Sequence, residues 1–415
     1  MNPLLDFDTY IPDVEAHVFN GKVYLYGSHD EKGGKRFCKL DYEFFSADVN
    51  DLEHFKSDGI SYSKNEDVIH RVDKEKLVDY YAPDCVKGND GYYYLYYSAM
   101  GPNTKSFGPI SVAKSSSPSG PFKYYGDIKY KNGKAVLKYL NNDPAVINDN
   151  GRIFLYYGWG LGRDFRNKFL SFLYNFVLSK ISGRSIKEIK NTKPSILSCA
   201  FVELDSNDML TALDKPKAVL DSKTSADKNS DIYKHPFYEA PSIRKFNDWY
   251  YLIYSSGENG ELCYAKSKFP DKDFKYGGVL ISSADLGYEG NKISKDIYGT
   301  IHGSIEMIKD SYYLFYHRLS NQSDFQRRVC AEKINMDSSG NFAQVEMTTN
   351  GLSNYFGKGK IEAIRAANIY NENTGRRKRK LINAPYSTFD EKEHFITNII
   401  KNSHIVFKYF SFVNV

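Results

Sequence analysis

Gly91-Tyr-Tyr-Tyr-Leu-Tyr-Tyr-Ser98 is one of five copies of a short phrase in this chain. Each copy is a turn residue followed by an aromatic and aliphatic run, which is typical of a strand that leaves a tight turn. The other copies are Gly21–Ser28, Gly151–Gly158, Asp248–Ser255 and Asp310–His317. A repeat with a period of tens of residues indicates a solenoid, a propeller or an array. Because four short strands fit each period, the sequence predicts an all-β fold, a five-bladed β-propeller.

One ionisable residue precedes each copy at nearly the same distance. Counted to the aromatic residue before the leucine of each copy, the distances are 11, 10, 11, 12 and 11 residues. In a propeller the first strand of each blade lines the central axis, so equivalent positions converge at one end of one channel. The sequence therefore predicts an axial pocket. Its ionisable side chains are Asp13, Asp84, Asp143, Glu239 and His302.

The composition favours one large β domain and gives no sign of a nucleic-acid partner. Of the 415 residues, 41% are hydrophobic, 15% are aromatic and 35 are tyrosines, and aromatic residues favour strands. With 56 basic and 51 acidic residues, the net charge of +5 is too small to indicate nucleic-acid binding. No stretch approaches a membrane span, and no signal peptide is visible. Five scattered cysteines without metal-ligand spacing predict reduced thiols, so we expect a cytoplasmic protein.

One segment of blade three breaks the β pattern. Residues 163–190 carry apolar side chains at helical spacing, which predicts an inserted helix. Such a helix either packs on the side of the propeller or forms a lid or wall over the pocket, and the sequence leaves both alternatives open. The apolar side chains are Phe165, Phe169, Phe172, Leu173, Phe176 and Val177.

The C-terminal tail of the chain does not contain the repeated phrase. We therefore predict two domains, a propeller over residues 1–350 and a short β-rich extension, like part of a β-sandwich, over residues 351–415. A basic run at Gly375–Lys380 is interpreted as a solvated loop between strands. A segment this short has too little core to stand alone, so we expect it to lean on the propeller or to be partly loose.

Three carboxylates around one pocket suit glycoside hydrolysis, which needs one group to protonate the leaving oxygen and one to activate water. Glu239 lies in an apolar and aromatic stretch that raises its pKa by desolvation, so we expect it to be the general acid. We expect Asp13 to be the general base and Asp143 to tune the pKa of the acid and orient it. Asp84 either binds substrate or closes its hairpin.

Together these motifs resemble those of glycoside hydrolase family 43, over about residues 3–350. The resemblance implies a five-bladed propeller that acts on glycans containing arabinose, xylose or galactose and inverts the anomeric configuration. It also implies that the base, the pKa modulator and the acid are Asp13, Asp143 and Glu239. The stretches that carry it are Tyr10–Asp13 with Tyr24–Asp30, Tyr81–Asp84, Asn142–Pro144, Phe237–Pro241, and His302–Glu306 with Phe315–Arg318.

The resemblance also suggests the surroundings of the sugar. His302 stands where the family's histidine often lies near a calcium ion, so Ca²⁺ is a candidate structural cofactor, coordinated largely by water because it prefers oxygen ligands. Tyr81 replaces a tryptophan common in the family and can still stack on a sugar ring. The sequence leaves open which arginine enters the pocket. The further candidate substrate-binding residues are His29, Asp84, Trp159, Phe237, Arg318 and Arg328.

Lys360–Ala363 and Thr397–Phe410 resemble the opening strands of a family 6 carbohydrate-binding module. For the whole chain we expect an inverting exo-glycosidase that releases terminal β-D-xylose or α-L-arabinofuranose from plant-type oligosaccharides. Exo action is expected because a pocket narrowed by the inserted helix encloses a chain end, whereas an endo enzyme needs an open groove. The alternatives are an exo-β-1,3-galactosidase on the same fold and a catalytically silent sugar-binding propeller. The sequence does not determine the oligomeric state.

Overall fold

The aromatic and aliphatic repeats form strands throughout this computed structural model, because such residues suit a pleated, half-buried surface. Among the described residues, five mainly antiparallel sheets follow one another along the chain, which confirms the predicted five-bladed β-propeller. In the part of the chain that the structure describes, no helix is long and apolar enough to cross a membrane. The described residues are 1–66, 79–100, 108–160, 168–182, 185–191, 197–257, 260–353, 360–372 and 383–409.

Blades one and two are four-stranded meanders, in which each strand pairs with the next along the chain. The first strand of each blade lies at the axis, and the repeated phrase forms its hairpin partner. Blade one consists of β1 (Glu15–Phe19), β2 (Lys22–Tyr26), β3 (Tyr42–Asp48) and β4 (Lys56–Tyr62). Blade two consists of β5 (Asp79–Lys87), β6 (Tyr93–Met100), β7 (Ser111–Ser115) and β8 (Lys123–Asp127).

Blade three contains the predicted helical insertion, which lies between the hairpin partner of its axial strand and the strand that follows. The insertion consists of α1 (Lys168–Ser182) and α2 (Ile186–Asn191), so the helical spacing predicted the element correctly. Phe165 lies outside the described residues. The strands of this sheet are β9 (Lys129–Tyr130), β10 (Ala145–Asp149), β11 (Arg152–Tyr157), β12 (Cys199–Leu204), β13 (Thr211–Ala212) and β14 (Lys217–Leu220).

Blade four has four strands and blade five has three. Blade four is preceded by the one-turn helix α3 (Asp231–Lys234). Its strands are β15 (Phe237–Phe246), β16 (Trp249–Ser256), β17 (Glu261–Ser267) and β18 (Lys275–Ser282). Blade five consists of β19 (Gly303–Ile308), β20 (Ser311–Ser320) and β21 (Ser323–Ile334). Short 3₁₀ turns cover Ser283–Asp285, Tyr288–Gly290 and Ala363–Arg365.

The tail forms two small sheets that lie against the propeller. Arg318 of blade five donates to the carbonyl oxygen of Ala366 at 2.9 Å, and Lys408 pairs with Asp285 at 2.9 Å. The basic run at 375–380 lies outside the described residues. The strands are β22 (Asn368–Asn371), β23 (Tyr386–Phe389), β24 (His394–Thr397) and β25 (Ser403–Val406), with β22 paired to β25 and β23 to β24.

The core lies between neighbouring blades and is rich in tyrosine. Between blades one and two, the rings of Tyr62 and Tyr80 stack with centroids 5.4 Å apart, and both side chains are buried. Aromatic side chains bury large areas and so contribute much of the stability of such cores. The five cysteines are all buried free thiols.

Candidate active site

The inner strands of blades one to four have backbone kinks, just before the strand in blades one and three and within it in blades two and four, that direct side chains into the axial channel. Asp13, Ala82, Asp143 and Ala240 occupy these kinks, with φ values of 58°, 40°, 48° and 61°. A positive φ in a residue with a Cβ atom costs free energy, and it persists where the surrounding structure enforces it, often at functional sites. The four kinks hold equivalent places, so they converge at one end of the axis.

The last residue of a repeat copy holds the kink of the following blade. Ser98 Oγ accepts a hydrogen bond from the backbone N–H of Asp143 at 3.1 Å. In the fifth copy His317 takes the place of the serine, and its Nδ1 accepts from the N–H of Asp13 at 3.2 Å. The same contact therefore links blade five back to blade one.

A cavity of about 320 Å³ lies at this end of the channel. Asp13, Asp143 and Glu239 all line it, so the structure brings together the three predicted catalytic carboxylates. Asp13 and Asp143 are only 6% and 7% exposed, which makes their charges sensitive to their neighbours. The other lining residues are Phe37, Tyr81, Met100, Asn142, Trp159, Tyr238, Ala240, Gly299, Thr300, His302, His317, Leu319, Asp324 and Arg327.

The surroundings separate the pKa values of the three carboxyl groups. Burial would raise the pKa of Asp13, but the positive charge of Arg327, which donates to Asp13 at 2.8 Å, helps to hold that pKa below its usual value. Burial raises the pKa of Asp143 to about 6. Burial and the charges of Asp143 and Asp13 raise the pKa of Glu239 to about 8. At neutral pH, Asp13 is therefore ionised and Glu239 is largely protonated.

Two histidines beside Asp13 have opposite protonation states. Burial disfavours the charged form of His302, but the carboxylates of Glu15 and Asp13, at 3.6 and 3.8 Å, raise its pKa to about 9. Burial lowers the pKa of His317 to about 3. Its neutral ring can accept from Asp13 at Nδ1 and donate to the carbonyl oxygen of Thr300 at 3.0 Å. His317 thus orients the Asp13 backbone without adding a charge.

Three of the predicted surrounding residues, Tyr81, Trp159 and His302, line the cavity. Among the described residues, none of α1 or α2 lines it; instead Leu178 of α1 packs in a cluster that contacts Trp159 from behind. The described helices of the insertion therefore support a wall of the pocket. Several side chains of α1 are exposed: Phe169, Leu170, Phe172, Leu173, Phe176 and Val177.

The other predicted binding residues are not among the described residues that line this cavity. They are His29, Asp84, Phe237, Arg318 and Arg328. Asp84 lies two residues beyond the kink at Ala82, just as Glu15 lies two residues beyond Asp13. Both therefore point into the channel one step deeper than the cavity floor. The shorter distance of 10 residues from Asp84 to its repeat copy was the signal of this offset.

The contacts of Asp84 favour a structural role over substrate binding. Its side chain is fully buried, with Oδ1 at 2.6 Å from His17 Nε2 of blade one. Its Oδ2 accepts from the N–H of Val146 in blade three at 2.7 Å. Asp84 itself belongs to blade two, so one carboxylate joins three blades at the axis.

Strand alternation explains the misplaced arginines. Successive side chains of a strand point to opposite faces, so Arg327 of β21 enters the pocket while Arg328 points away and donates to the carbonyl oxygen of Phe7 at 2.8 Å. Arg318 of β20 faces the tail, where it donates to the carbonyl oxygen of Ala367 at 2.8 Å. Two adjacent arginines look alike in sequence, and nothing in the pattern of this strand identified the inward face.

The same alternation explains Phe237. This ring is fully buried in the core, and the next residue, Tyr238, lines the cavity in its place. His29 lies beyond the lining, with its Nδ1 at 3.0 Å from the carbonyl oxygen of Asp41. His317 was not among the predicted site residues, although its position at the end of a repeat copy matches that of Ser98 and was a usable signal.

The chain belongs to the glycosyl hydrolases family 43, whose model matches residues 1–342. This confirms the family resemblance of the motifs, and the chain is a glycoside hydrolase. It is 36% identical over 428 residues to a xylosidase/arabinosidase of Thermoclostridium stercorarium, across 99% of this chain and 82% of that protein. It is 30% identical over 354 residues to xylosidase/arabinosidase 43A of Humicola insolens, across 82% of this chain and 98% of that protein.

Solved structures share the fold. One is a β-xylosidase/α-arabinofuranosidase from a compost microbial metagenome, in complex with xylotriose and in a calcium-free form. It is 25% identical, has a TM-score of 0.61, and the match covers 83% of this chain and 97% of that chain. A family 43 enzyme from Xanthomonas citri in complex with xylose matches with a TM-score of 0.61 at 24% identity, across 83% of this chain and 92% of that chain.

Proposed function

We propose that this chain is an inverting exo-glycosidase that hydrolyses terminal β-D-xylose or α-L-arabinofuranose from oligosaccharides. The observation that carries the proposal is the division of charge in the pocket, where a protonated Glu239 and an ionised Asp13 line the same cavity. Hydrolysis of a glycoside with inversion needs such an acid and base together. The pentose specificity is supported by the relatives described as xylosidase/arabinosidase.

In the proposed reaction Glu239 donates its proton to the leaving glycosidic oxygen. Asp13 takes a proton from a water molecule, and that water attacks the anomeric carbon from the opposite face of the sugar. The carboxylate of Asp143 keeps Glu239 protonated by charge repulsion, and its Oδ2 accepts from the N–H of Ala240, the residue after the acid, at 3.1 Å. Arg327 keeps Asp13 ionised, so the base remains ready at neutral pH.

The shape of the site supports action on a chain end. The catalytic carboxylates lie in an axial cavity of about 320 Å³, near the lower end of the volumes typical of small-molecule sites. Tyr81, Trp159 and Phe37 supply aromatic faces on its walls, and such faces stack on the C–H edges of a sugar ring. A single terminal sugar fits this arrangement better than the interior of a polysaccharide.

The test is a screen of the purified protein on 4-nitrophenyl β-D-xyloside, α-L-arabinofuranoside and β-D-galactoside. We expect release from one or both pentosides, a product of inverted configuration by NMR, and no release of pentose from longer glycans except at their ends. The galactoside distinguishes the alternative galactosidase. Absence of release from all three and from natural xylo- and arabino-oligosaccharides would overturn the proposal.

We also propose a structural Ca²⁺ site just below the cavity. Glu15 Oε1 and His302 Nε2 are buried 3.6 Å apart, and neither has a hydrogen-bond partner among the described residues. The carboxylates that raise the pKa of His302 create a negative potential that also attracts a cation. Glu15 Oε1 with water would suit calcium, which prefers oxygen ligands, and binding of the ion would require the neighbouring His302 to give up its proton. Calcium should raise the Tm of the protein, and Glu15→Gln should remove that response.

We also propose that the described part of the tail is related to a family 6 carbohydrate-binding module and packs on the propeller. Its support is the motif resemblance and the division of its strands into two separate pairs. We expect no retardation of the protein on xylan-containing affinity gels beyond that caused by the catalytic pocket. Retardation that survives Asp13→Asn and is lost on changing tail aromatics would contradict this.

A further inference from the structure

The first and last blades of the propeller meet at a seam, defined here as the junction of β1 and its preceding residues with β20 and β21. The backbone N–H of Leu4 donates to the carbonyl oxygen of Val329 at 3.0 Å, and the side chain of Asn2 donates to that of Ala331 at 3.1 Å. The start of the chain therefore lies along the edge of blade five and closes the ring.

The catalytic pair of the proposed function crosses this seam. Asp13 belongs to blade one, and Arg327, which holds it at 2.8 Å, belongs to blade five. Arg327 also donates to Asp30 of blade one at 2.9 Å. Because all three groups are buried, a small opening of the seam would lengthen these charged hydrogen bonds and move the base.

The C-terminal hairpin, defined as β23, β24 and their turn over residues 386–397, touches both sides of the seam. On the blade-one side, the ammonium group of Lys32 lies 4.8 Å from the ring of Phe389. On the blade-five side, Ser387 Oγ accepts from the N–H of Asn321 at 3.1 Å. The C-terminal hairpin therefore joins the loop between β2 and β3, which carries Lys32, to the turn between β20 and β21, which carries Asn321.

His394 is the central contact of the C-terminal hairpin. Its Nε2 lies 2.6 Å from Asp8 Oδ1, just ahead of the first blade. Its Nδ1 lies 3.3 Å from Arg328 Nη2 of blade five, the residue next to Arg327. The ring also packs against Phe7, with centroids 5.8 Å apart. One imidazole thus bridges the two blades directly behind the catalytic pair.

Residues on both sides of the seam also form an aromatic wall of the pocket. Phe37 of blade one lines the cavity, and its ring lies 4.6 Å from that of Phe325 in blade five. The guanidinium group of Arg327 lies 4.8 Å from the ring of Phe37. Any shift of blade one against blade five at the seam therefore moves both this aromatic wall and Arg327, the arginine that holds the base.

We propose that the C-terminal hairpin clasps the seam between the first and last blades and that His394 is a positioning residue for the Asp13–Arg327 pair. The C-terminal hairpin then contributes to the geometry of the catalytic site. This inference rests on the proposed function, because it concerns the geometry of the proposed base.

The test compares two histidines of the tail that have similar local contacts. His404 pairs with Glu372 at 3.1 Å and stacks on Tyr370, away from the seam. We expect His394→Ala to lower kcat about tenfold with little change in KM, because misplacement of a catalytic group by a fraction of an ångström slows the reaction. His404→Ala should leave both parameters unchanged. His394→Gln, whose amide can still donate to Asp8, should restore most of kcat.

Amide hydrogen exchange provides a second reading that does not need activity. In His394→Ala, but not in His404→Ala, exchange should speed up in residues 8–14 and 326–329. Equal kcat in both alanine variants, or faster exchange in neither, would overturn the proposal. If the wild-type protein cleaves no glycoside, the proposed function fails, and the exchange experiment still decides whether the hairpin clasps the seam.

Discussion

Two rings of side chains lie in the same channel, only two or three residues apart along the inner strands, and they have opposite properties. The upper ring lines the cavity and contains Asp13, Tyr81, Asp143, Glu239 and His302. The lower ring contains Glu15, Asp84, Ser242 and Ser304, which the hairpin registers place at equivalent depth.

Carboxylates of the lower ring have close partners on other blades. Glu15 pairs with Arg244 at 2.9 Å and accepts from Ser242 at 2.9 Å, while Asp84 contacts His17 at 2.6 Å. In the upper ring, burial and the charges of Asp143 and Asp13 raise the pKa of Glu239 to about 8. Nearby positions on the same strands thus form a structural ring and a reactive ring. Pairing stabilises the ionised carboxylates of the lower ring, whereas burial and nearby negative charges favour the protonated form of Glu239 in the upper ring.

The largest expected effect is that of removing the acid from the upper ring. Glu239→Gln should lower kcat on unactivated xylo-oligosaccharides by about 10²–10⁴-fold, the range typical of a lost general acid. The loss should be smaller on 4-nitrophenyl glycosides, because their leaving group needs little protonation. Steady-state kinetics on both substrate types measure this difference, with circular dichroism to show that the fold is intact. Equal losses on both would contradict the role of Glu239 as acid.

A smaller effect is expected at Asp143, which acts through charge. The acid must be protonated, so activity should fall as pH rises through the pKa of Glu239, about 8. Asp143 has a pKa of about 6 and is ionised in that range, where its charge opposes ionisation of Glu239. Asp143→Asn should therefore move the basic limb of the kcat/KM profile to lower pH. A basic limb that stays in place would remove Asp143 from this role.

The fold and the three carboxylates could be predicted from sequence because the repeat marks every blade and the offsets mark the kinks. The other site residues could not, since strand alternation decides which of two neighbours faces inward. Arg327 and Arg328 differ only in this respect, and so do Phe237 and Tyr238. The deeper position of Asp84 was present in the sequence as a distance one residue shorter than most of the others.

The smallest expected effect concerns one hydrogen bond of the lower ring. Ser242→Ala removes the hydroxyl that donates to Glu15, and it should lower the free energy of unfolding by about 1 kcal/mol. Activity at 25 °C should not change, because Arg244 still holds the carboxylate. Chemical denaturation and kinetics on one preparation measure both quantities. A large loss of kcat with unchanged stability would place Ser242 in the reactive ring instead.

The most direct test of the difference between the rings compares Asp13→Asn with Asp84→Asn. For each variant, kcat on 4-nitrophenyl pentosides and the free energy of unfolding are measured together. Asp13→Asn should lose about 10²–10⁴-fold in kcat with little change in stability, because Arg327 keeps its pair with Asp30 and the repulsion between Asp13 and the other carboxylates is removed. Asp84→Asn should lose about 3 kcal/mol of stability, as expected when a buried pair is broken, with kcat of the folded protein nearly unchanged. If Asp84→Asn abolished catalysis while the fold kept its stability, the account of the two rings would be wrong.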